Sequence, residues 1–203
     1  MPLTAVILNA TLKPSPAPSN TEALARVVIE ALEAQGVTCE LIRLVDHDIK
    51  PGVSSDEGDG DAWPAIREKL LGAEILVMAT PTWLGQPASV VKRALERMDA
   101  MLSETDDEER PVAYNRVAGV VVTGNEDGAH HVISEVAGAL IDIGYTIPGQ
   151  AWTYWNKGPG PGPSYSETDE GKDWSHSTGR AAAGQLVAVA RALQATPMGP
   201  PQK

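Results

Sequence analysis

Three stretches of this chain combine side chains and backbone in ways suited to holding a small molecule. The first is Asn9-Ala10-Thr11-Leu12-Lys13-Pro14-Ser15-Pro16-Ala17-Pro18-Ser19-Asn20-Thr21. It offers hydroxyls at Thr11, Ser15, Ser19 and Thr21, an amide at Asn20 and an ammonium at Lys13, a donor set suited to phosphate. Its prolines pre-set the loop shape and lower the entropy cost of ordering it. The second is Thr80-Pro81-Thr82-Trp83-Leu84-Gly85-Gln86-Pro87, with one large flat aromatic, one glycine and two prolines. Backbone groups of Pro81, Thr82, Trp83, Leu84 and Gly85, with the Trp83 ring as a wall, suit a planar ring system. The third is Thr123-Gly124-Asn125-Glu126-Asp127-Gly128-Ala129-His130-His131. Its two glycines permit positive φ and close backbone approach to a ligand.

Each stretch also has a plainer reading. Ser19-x-x-Glu22 is a capping box, so the first loop could simply start a helix. The second could be an ordinary Pro/Gly turn with an exposed Trp. His130 and His131 read as polar residues opening a helix, or as proton donors near a reduced ring. As metal ligands they are weak, because adjacent histidines point apart and no third ligand is spaced nearby. Further on, Trp152, Tyr154 and Trp155 could wall a pocket for a second planar molecule, or form an interface patch. The first loop lacks the glycines and Gly-Lys-Ser/Thr ending of a Walker A loop, and is no G-x-G-x-x-G turn. No Ser-His-Asp arrangement is evident. Asp46-His47-Asp48 reads as a polar turn.

The elements that must position these loops alternate regularly. Buried-type strands are expected at Thr4–Asn9, Thr38–Leu44, Ile75–Thr80, Val117–Thr123 and somewhere within Tyr145–Tyr154. Helices are expected from near Asn20 to Gly36, over Trp63–Leu71, after Pro87, from the third loop to Gly144, and over about Thr178–Gln194. The helix after Pro87 carries Val91, Ala94, Leu95, Met98 and Leu102 on one face; the fourth carries Val132, Ile133, Val136, Ala137, Leu140 and Ile141. The acidic, Gly-rich segment 45–61 reads as a solvated loop. Asn156–Ser177 is too rich in Gly and Pro for a helix or central strand. Strand–helix alternation with apolar strands argues an α/β fold, a three-layer doubly wound parallel sheet of five strands in the order 2-1-3-4-5. There, the loops after strands one, three and four meet at the switch point where such sheets bind ligands. A ring site and a phosphate site on one sheet edge point to flavin mononucleotide.

Composition narrows the classes. The 203 residues suit a single domain spanning 1–203, with the Gly/Pro-rich insert at 156–177 before the last helix. The net charge of −11 disfavours nucleic acid and anionic lipid as partners. With one cysteine, Cys39, no intrachain disulfide can form, which fits a reducing compartment. No apolar run is long enough to span a membrane and no signal-peptide pattern opens the chain, so a cytoplasmic location is expected.

Taken together, the three loops resemble those of the flavodoxin-like superfamily, specifically its NADPH-dependent FMN reductase and quinone reductase branch. Thr11, Lys13, Ser19, Asn20 and Thr21 resemble the branch's phosphate loop. Thr80 to Gly85, followed by a proline and a helix, is similar to its ring-binding loop. Thr123-Gly124-Asn125 after a valine-rich strand is similar to its third flavin loop. The likeness covers about residues 4 to 145. The first loop departs from it in lacking a glycine-serine start, and the 156–177 insert lies outside the common core. The resemblance implies bound FMN and electron transfer from NAD(P)H to a small acceptor such as a quinone or a flavin. It implies cofactor contacts from Thr11, Lys13, Ser19, Asn20, Thr21, Pro81, Thr82, Trp83, Leu84, Gly85, Thr123, Gly124, Asn125, Asp127, Gly128 and Ala129, no metal, and a homo-oligomer. The rival readings are a flavodoxin-type electron carrier and a flavin-free ligand-binding regulator on the same fold.

Overall fold

The computed structural model describes residues 2–158 and 162–201. The part of the Gly/Pro insert at 159–161 therefore lies outside the described residues. The strands are β1 (Thr4–Asn9), β2 (Thr38–Arg43), β3 (Ile75–Trp83), a two-residue β4 (Gln86–Pro87), β5 (Val117–Gly124) and β6 (Trp152–Asn156). The helices are α1 (Asn20–Glu33), α2 (Trp63–Gly72), α3 (Ser89–Met98), α4 (Ala129–Ile143) and α5 (Lys172–Ala195). The parallel strands run β2-β1-β3-β5-β6, and β4 pairs only with β3. Leaving out β4, this is the order expected from the sequence.

The sheet is apolar on both faces because helices cover both. Val6, Leu8, Leu76, Met78, Val120 and Val122 pack against α2, α3 and α4. Ala5, Ile7, Ile75, Val77 and Val121 pack against α1 and α5. Gly119 in β5 is required by close approach: a Cβ there would stand 2.6 Å from the Ala151 carbonyl oxygen and 3.1 Å from Leu186.

Several expected boundaries differ. Strand β3 runs on to Trp83 and turns back as a hairpin, where Thr80 was expected to end it. The fifth parallel strand begins at Trp152 and runs to Asn156, two residues past the expected limit of Tyr154. Helix α5 starts at Lys172, six residues early, because Gly171 turns the chain at φ 76° and so separates the helix from the Gly/Pro-rich run. Helix α3 stops at Met98 and gives way to a 3-10 turn over Asp99–Ser103; the tighter winding buries Met101 and leaves Leu102 exposed. In α4 it is Ile143 that is buried, while Ile141 is 57% exposed.

Segment 45–61 is anchored. Arg97, inside the apolar stripe of α3, is fully buried and paired with the equally buried Asp61 at 2.7 Å. Its Nε and Nη1 donate to the Ser54 and Lys50 carbonyls at 2.9 and 3.0 Å. An acidic loop read as solvated is thus held down from beneath by one guanidinium.

Candidate functional site

At the carboxyl edge of β1, β3 and β5 lies a cleft of about 230 Å³. Thr11, Leu12, Lys13, Asn20 and Thr21 line one end. Pro81, Thr82 and Trp83 line a second side; Thr123, Gly124 and Asn125 a third. Trp155, Ser164 and Tyr165 complete it. Strand register explains the meeting: Pro81 of β3 lies beside Thr123 of β5, and Thr123 beside Trp155 of β6.

The first loop ends on the start of α1, whose leading N–H groups have no intrahelical acceptor and favour an anion. Ser19 is not among the residues lining the cleft. Its hydroxyl accepts from the Glu22 N–H at 3.1 Å and so caps α1. Ser15 is likewise committed, its N–H and hydroxyl both bonded to Asp46 at 2.9 and 2.5 Å. These two bonds hold the Asp46 carboxyl below its ordinary range. Thr21 bonds Thr123 hydroxyl to hydroxyl at 2.8 Å, tying the first loop to the third.

The ring-loop candidate is the β3–β4 hairpin. Its two-residue turn has positive φ at both Leu84 (53°) and Gly85 (72°), the primed geometry such hairpins use. Thr80 braces the base, accepting from the Ala88 N–H at 3.1 Å. Leu84 is 90% exposed at the tip, and neither it nor Gly85 is among the cleft residues. Trp83 offers a half-exposed ring at the mouth. Thr82 is buried, and its hydroxyl has no partner among the described residues.

The third loop departs from expectation at its second half. A Cβ at Gly128, where φ is 109°, would stand 2.9 Å from the Gly85 Cα. That glycine lets the hairpin tip sit on the loop, whereas close approach to a ligand was expected. Asp127 packs against the backbone at Gly158, and Ala129 is buried in the core. Asp127, Gly128 and Ala129 therefore shape the loop without lining the cleft.

The aromatic segment divides because a strand alternates its side chains. Trp152 and Tyr154 face His130, with ring centroids 5.7 and 5.0 Å away, and Tyr154 meets Trp174 at 4.8 Å. Trp155 points the other way, into the cleft wall, with its ring edge-on to Tyr165 at 5.6 Å and its Nε1 donating to the Glu170 carbonyl at 2.7 Å. The three aromatics do not form one wall. His130 and His131 are both exposed and outside the cleft lining, with His131 3.7 Å from Glu135. Among the described residues no cluster of His, Cys, Asp and Glu is placed to hold a metal.

Leu12, Ser164 and Tyr165 were not expected in the site. Ser164-Tyr165-Ser166-Glu167 is a capping box, and that Ser-x-x-Glu signature was present in the sequence. The turn is latched to α1 by the Ser166 N–H, which donates to Asn20 Oδ1 at 3.2 Å.

Hydroxyls, an amide and an ammonium at a helix start, a half-exposed indole and an unpaired buried hydroxyl are a donor set that fits FMN. Comparison with known proteins agrees. The NADPH-dependent FMN reductase family matches residues 4–158. The 8-demethyl-8-aminoriboflavin-5'-phosphate synthase of Streptomyces davaonensis is 38% identical over 210 residues, covering 97% of this chain and 80% of that protein. A protein of Mycobacterium bovis named divalent metal cation transporter MntH is 40% identical over 182 residues, 88% of this chain, but the chain spans only 27% of its length. The crystal structure of RosB with bound 8-demethyl-8-formylriboflavin-5'-phosphate superposes with a TM-score of 0.87 at 36% identity, covering 97% of this chain and 82% of that one. A flavodoxin, WrbA-like protein of Agrobacterium tumefaciens shares the fold alone, at 13% identity and a TM-score of 0.63 over 95% of this chain and 99% of its own. The chain belongs to the NADPH-dependent FMN reductase family, oxidoreductases of flavodoxin-like fold that use FMN and NAD(P)H.

Proposed function

We propose that this protein takes electrons from NAD(P)H and delivers them, with FMN in the sheet-edge cleft, to a small acceptor such as a quinone or a free flavin. The observation that carries the reading is the unpaired Thr82 hydroxyl, buried in a cleft whose far end is a helix start with Thr11, Lys13, Asn20 and Thr21 around it. Hydride chemistry is the flavin's own; the chain supplies binding, orientation and tuning. Thr11, Lys13, Asn20, Thr21 and the first amides of α1 would hold the phosphate. The backbone of Pro81–Trp83, the Thr82 hydroxyl and the Thr123–Asn125 loop would hold the ring, with Trp83 and Trp155 as aromatic walls. Trp152, Tyr154 and Trp174 would form a separate aromatic face, suited to contact between copies in a homo-oligomer. One half-buried cysteine suits a cytoplasmic protein.

The test is the visible absorption spectrum of desalted protein with and without added FMN, then NADPH oxidation with a quinone. Retained flavin bands and acceptor-dependent turnover support the reading. A protein that retains no flavin and binds none on addition overturns it.

A second reading takes a flavin phosphate as the molecule acted upon. It is favoured by the near full-length similarity to a synthase and a structure whose names specify modified riboflavin phosphates. Chromatography of the flavin after incubation separates the two: an unaltered FMN pool excludes the second reading.

A further inference from the structure

We infer that Arg43, with Asp46 beside it, is the positioning device that makes this cleft select a phosphorylated flavin. The inference rests on the flavin reading above.

The first loop is poor in amide donors. Pro14, Pro16 and Pro18 have no N–H. The Ser15 N–H is given to Asp46 and the Ala17 N–H to the Pro14 carbonyl at 2.9 Å. An anion at this end must rely on Thr11, Lys13, Asn20, Thr21 and the leading amides of α1. Loop carbonyls facing the same space would oppose it.

Arg43 governs where two of those carbonyls point. It ends β2, in register with Asn9 at the end of β1. Its Nη1 donates to the Lys13 carbonyl at 3.2 Å and the Ala17 carbonyl at 2.8 Å. One planar guanidinium thus gathers both ends of the proline stretch. Nη2 meets Glu22 Oε2 at 2.6 Å, while Arg26 holds Oε1 at 3.0 Å. Asn9 Nδ2 donates to the same Oε2 at 3.3 Å. Glu22 is the third residue of α1, so its carboxylate lies beside the anion end of the cleft. Two guanidiniums offset that charge. Asp46 pins the middle of the loop through Ser15. Arg43 and Asp46 do not line the cleft themselves; they act through the loop that does.

The test is titration of flavin-free wild type, Arg43→Met, Arg43→Lys and Asp46→Ala with FMN and with riboflavin, followed by quenching of flavin fluorescence. Wild type should prefer FMN. Arg43→Met should lose about tenfold or more in FMN affinity, with riboflavin held within about twofold, because only the phosphate end loses its preorganisation. Lys keeps the charge but not the fork, so Arg43→Lys should fall between. Asp46→Ala should show a smaller loss in the same direction, and it carries the test if Arg43→Met does not fold. A general folding defect would weaken both flavins alike. An FMN-to-riboflavin ratio unchanged in all variants overturns the inference and leaves the functional reading standing. Wild type that binds both flavins equally also overturns it. Wild type that binds neither overturns the functional reading and the inference with it.

Discussion

Replacing Asp61 with Ala should be among the most damaging single changes outside the cleft. The Asp61 carboxylate receives the N–H groups of Lys50 (3.3 Å), Glu57 (3.0 Å) and Trp63 (3.1 Å) and meets Arg97 Nη2 at 2.7 Å. Both side chains are fully buried. The indole of Trp63 lies 5.8 Å from the guanidinium carbon, adding a weaker contact that does not replace a counter-charge. Truncation leaves a buried cation unpaired, which costs about 3–5 kcal/mol. For a chain of this size each kcal/mol moves the midpoint by about 2–4 °C, so Tm should fall by roughly 6–20 °C. Asp61→Asn should be milder but still harmful. Its amide must turn an NH₂ either toward Arg97 and the Glu57 N–H or toward the Lys50 and Trp63 N–H groups. Asp61→Ala combined with Arg97→Met should recover much of the loss, since apolar replacement of a buried pair is close to neutral.

The assay is thermal melting by circular dichroism of flavin-free protein, repeated across acid pH. Burial alone would raise the Asp61 pKa, but Arg97 and the three N–H groups outweigh it and hold the carboxyl far below its ordinary 3.8. A depressed folded pKa contributes stability that is present above the unfolded value and lost as pH falls toward the folded one. Wild type should therefore lose stability as pH drops below 3.8, and Asp61→Ala should lose less over that range. An Asp61→Ala midpoint within about 2 °C of wild type would refute the reasoning, because it would mean that water reaches Arg97 freely.

Thr82→Val should weaken FMN by about three- to tenfold while leaving the flavin-free midpoint unchanged or higher, since it deletes an unpaired buried hydroxyl. Flavin titration and melting on one preparation check both halves, and unchanged affinity removes Thr82 from the proposed contacts. Gly128→Ala should cost about 1–3 kcal/mol, from its positive φ and the 2.9 Å approach to Gly85. Melting curves test this, and an unchanged midpoint would mean that the hairpin tip moves aside freely. Burial, aided by Glu33, pushes the Cys39 thiol up to about 11, so folded protein at pH 8 should react with iodoacetamide far more slowly than unfolded protein. Equal rates would contradict this.

What could be read from the sequence is what local pattern encodes. Apolar strands alternating with 3.6-periodic helices specified the sheet and its order. Residues at the carboxyl ends of β1, β3 and β5 were placed by that order, which is why Thr11, Lys13, Asn20, Thr21, Pro81, Thr82, Trp83, Thr123, Gly124 and Asn125 all line one cleft. The sequence offers a Pro/Gly turn here but not its hairpin form, because Leu84-Gly85 lacks the Asn-Gly or Asp-Gly signal of primed turns. Arg97 escaped because a cation in an apolar stripe reads as a helix edge until a partner 36 positions earlier, Asp61, is known to reach it. Trp152, Tyr154 and Trp155 are close in sequence, but β6 runs through all three, so Trp155 faces opposite to the other two.

The cleft is also assembled by contacts between its own loops. Thr21 bonds Thr123 across 102 residues, Asn20 accepts from Ser166 across 146, and Arg43 reaches back to Lys13 across 30. Gly85 rests on Gly128, and the Lys157 N–H donates to the Gly124 carbonyl at 3.0 Å. Side chains and glycines that local pattern assigns to a ligand are therefore shared between two tasks. Ser15, Ser19 and Gly128 hold loops to their neighbours; Thr11, whose hydroxyl also accepts from the Lys13 N–H at 3.4 Å, lines the cleft with Lys13 and Thr82. This division follows from the loops being long and polar: their backbone groups need partners whether or not a ligand is present. Its consequence is a site whose walls are largely ordered beforehand, so that less of the interaction with a flavin is spent on ordering the protein. Some of the residues that order the walls lie outside the cleft lining, which is why Arg43 belongs to none of the three loops and yet holds the Lys13 and Ala17 carbonyls of the first.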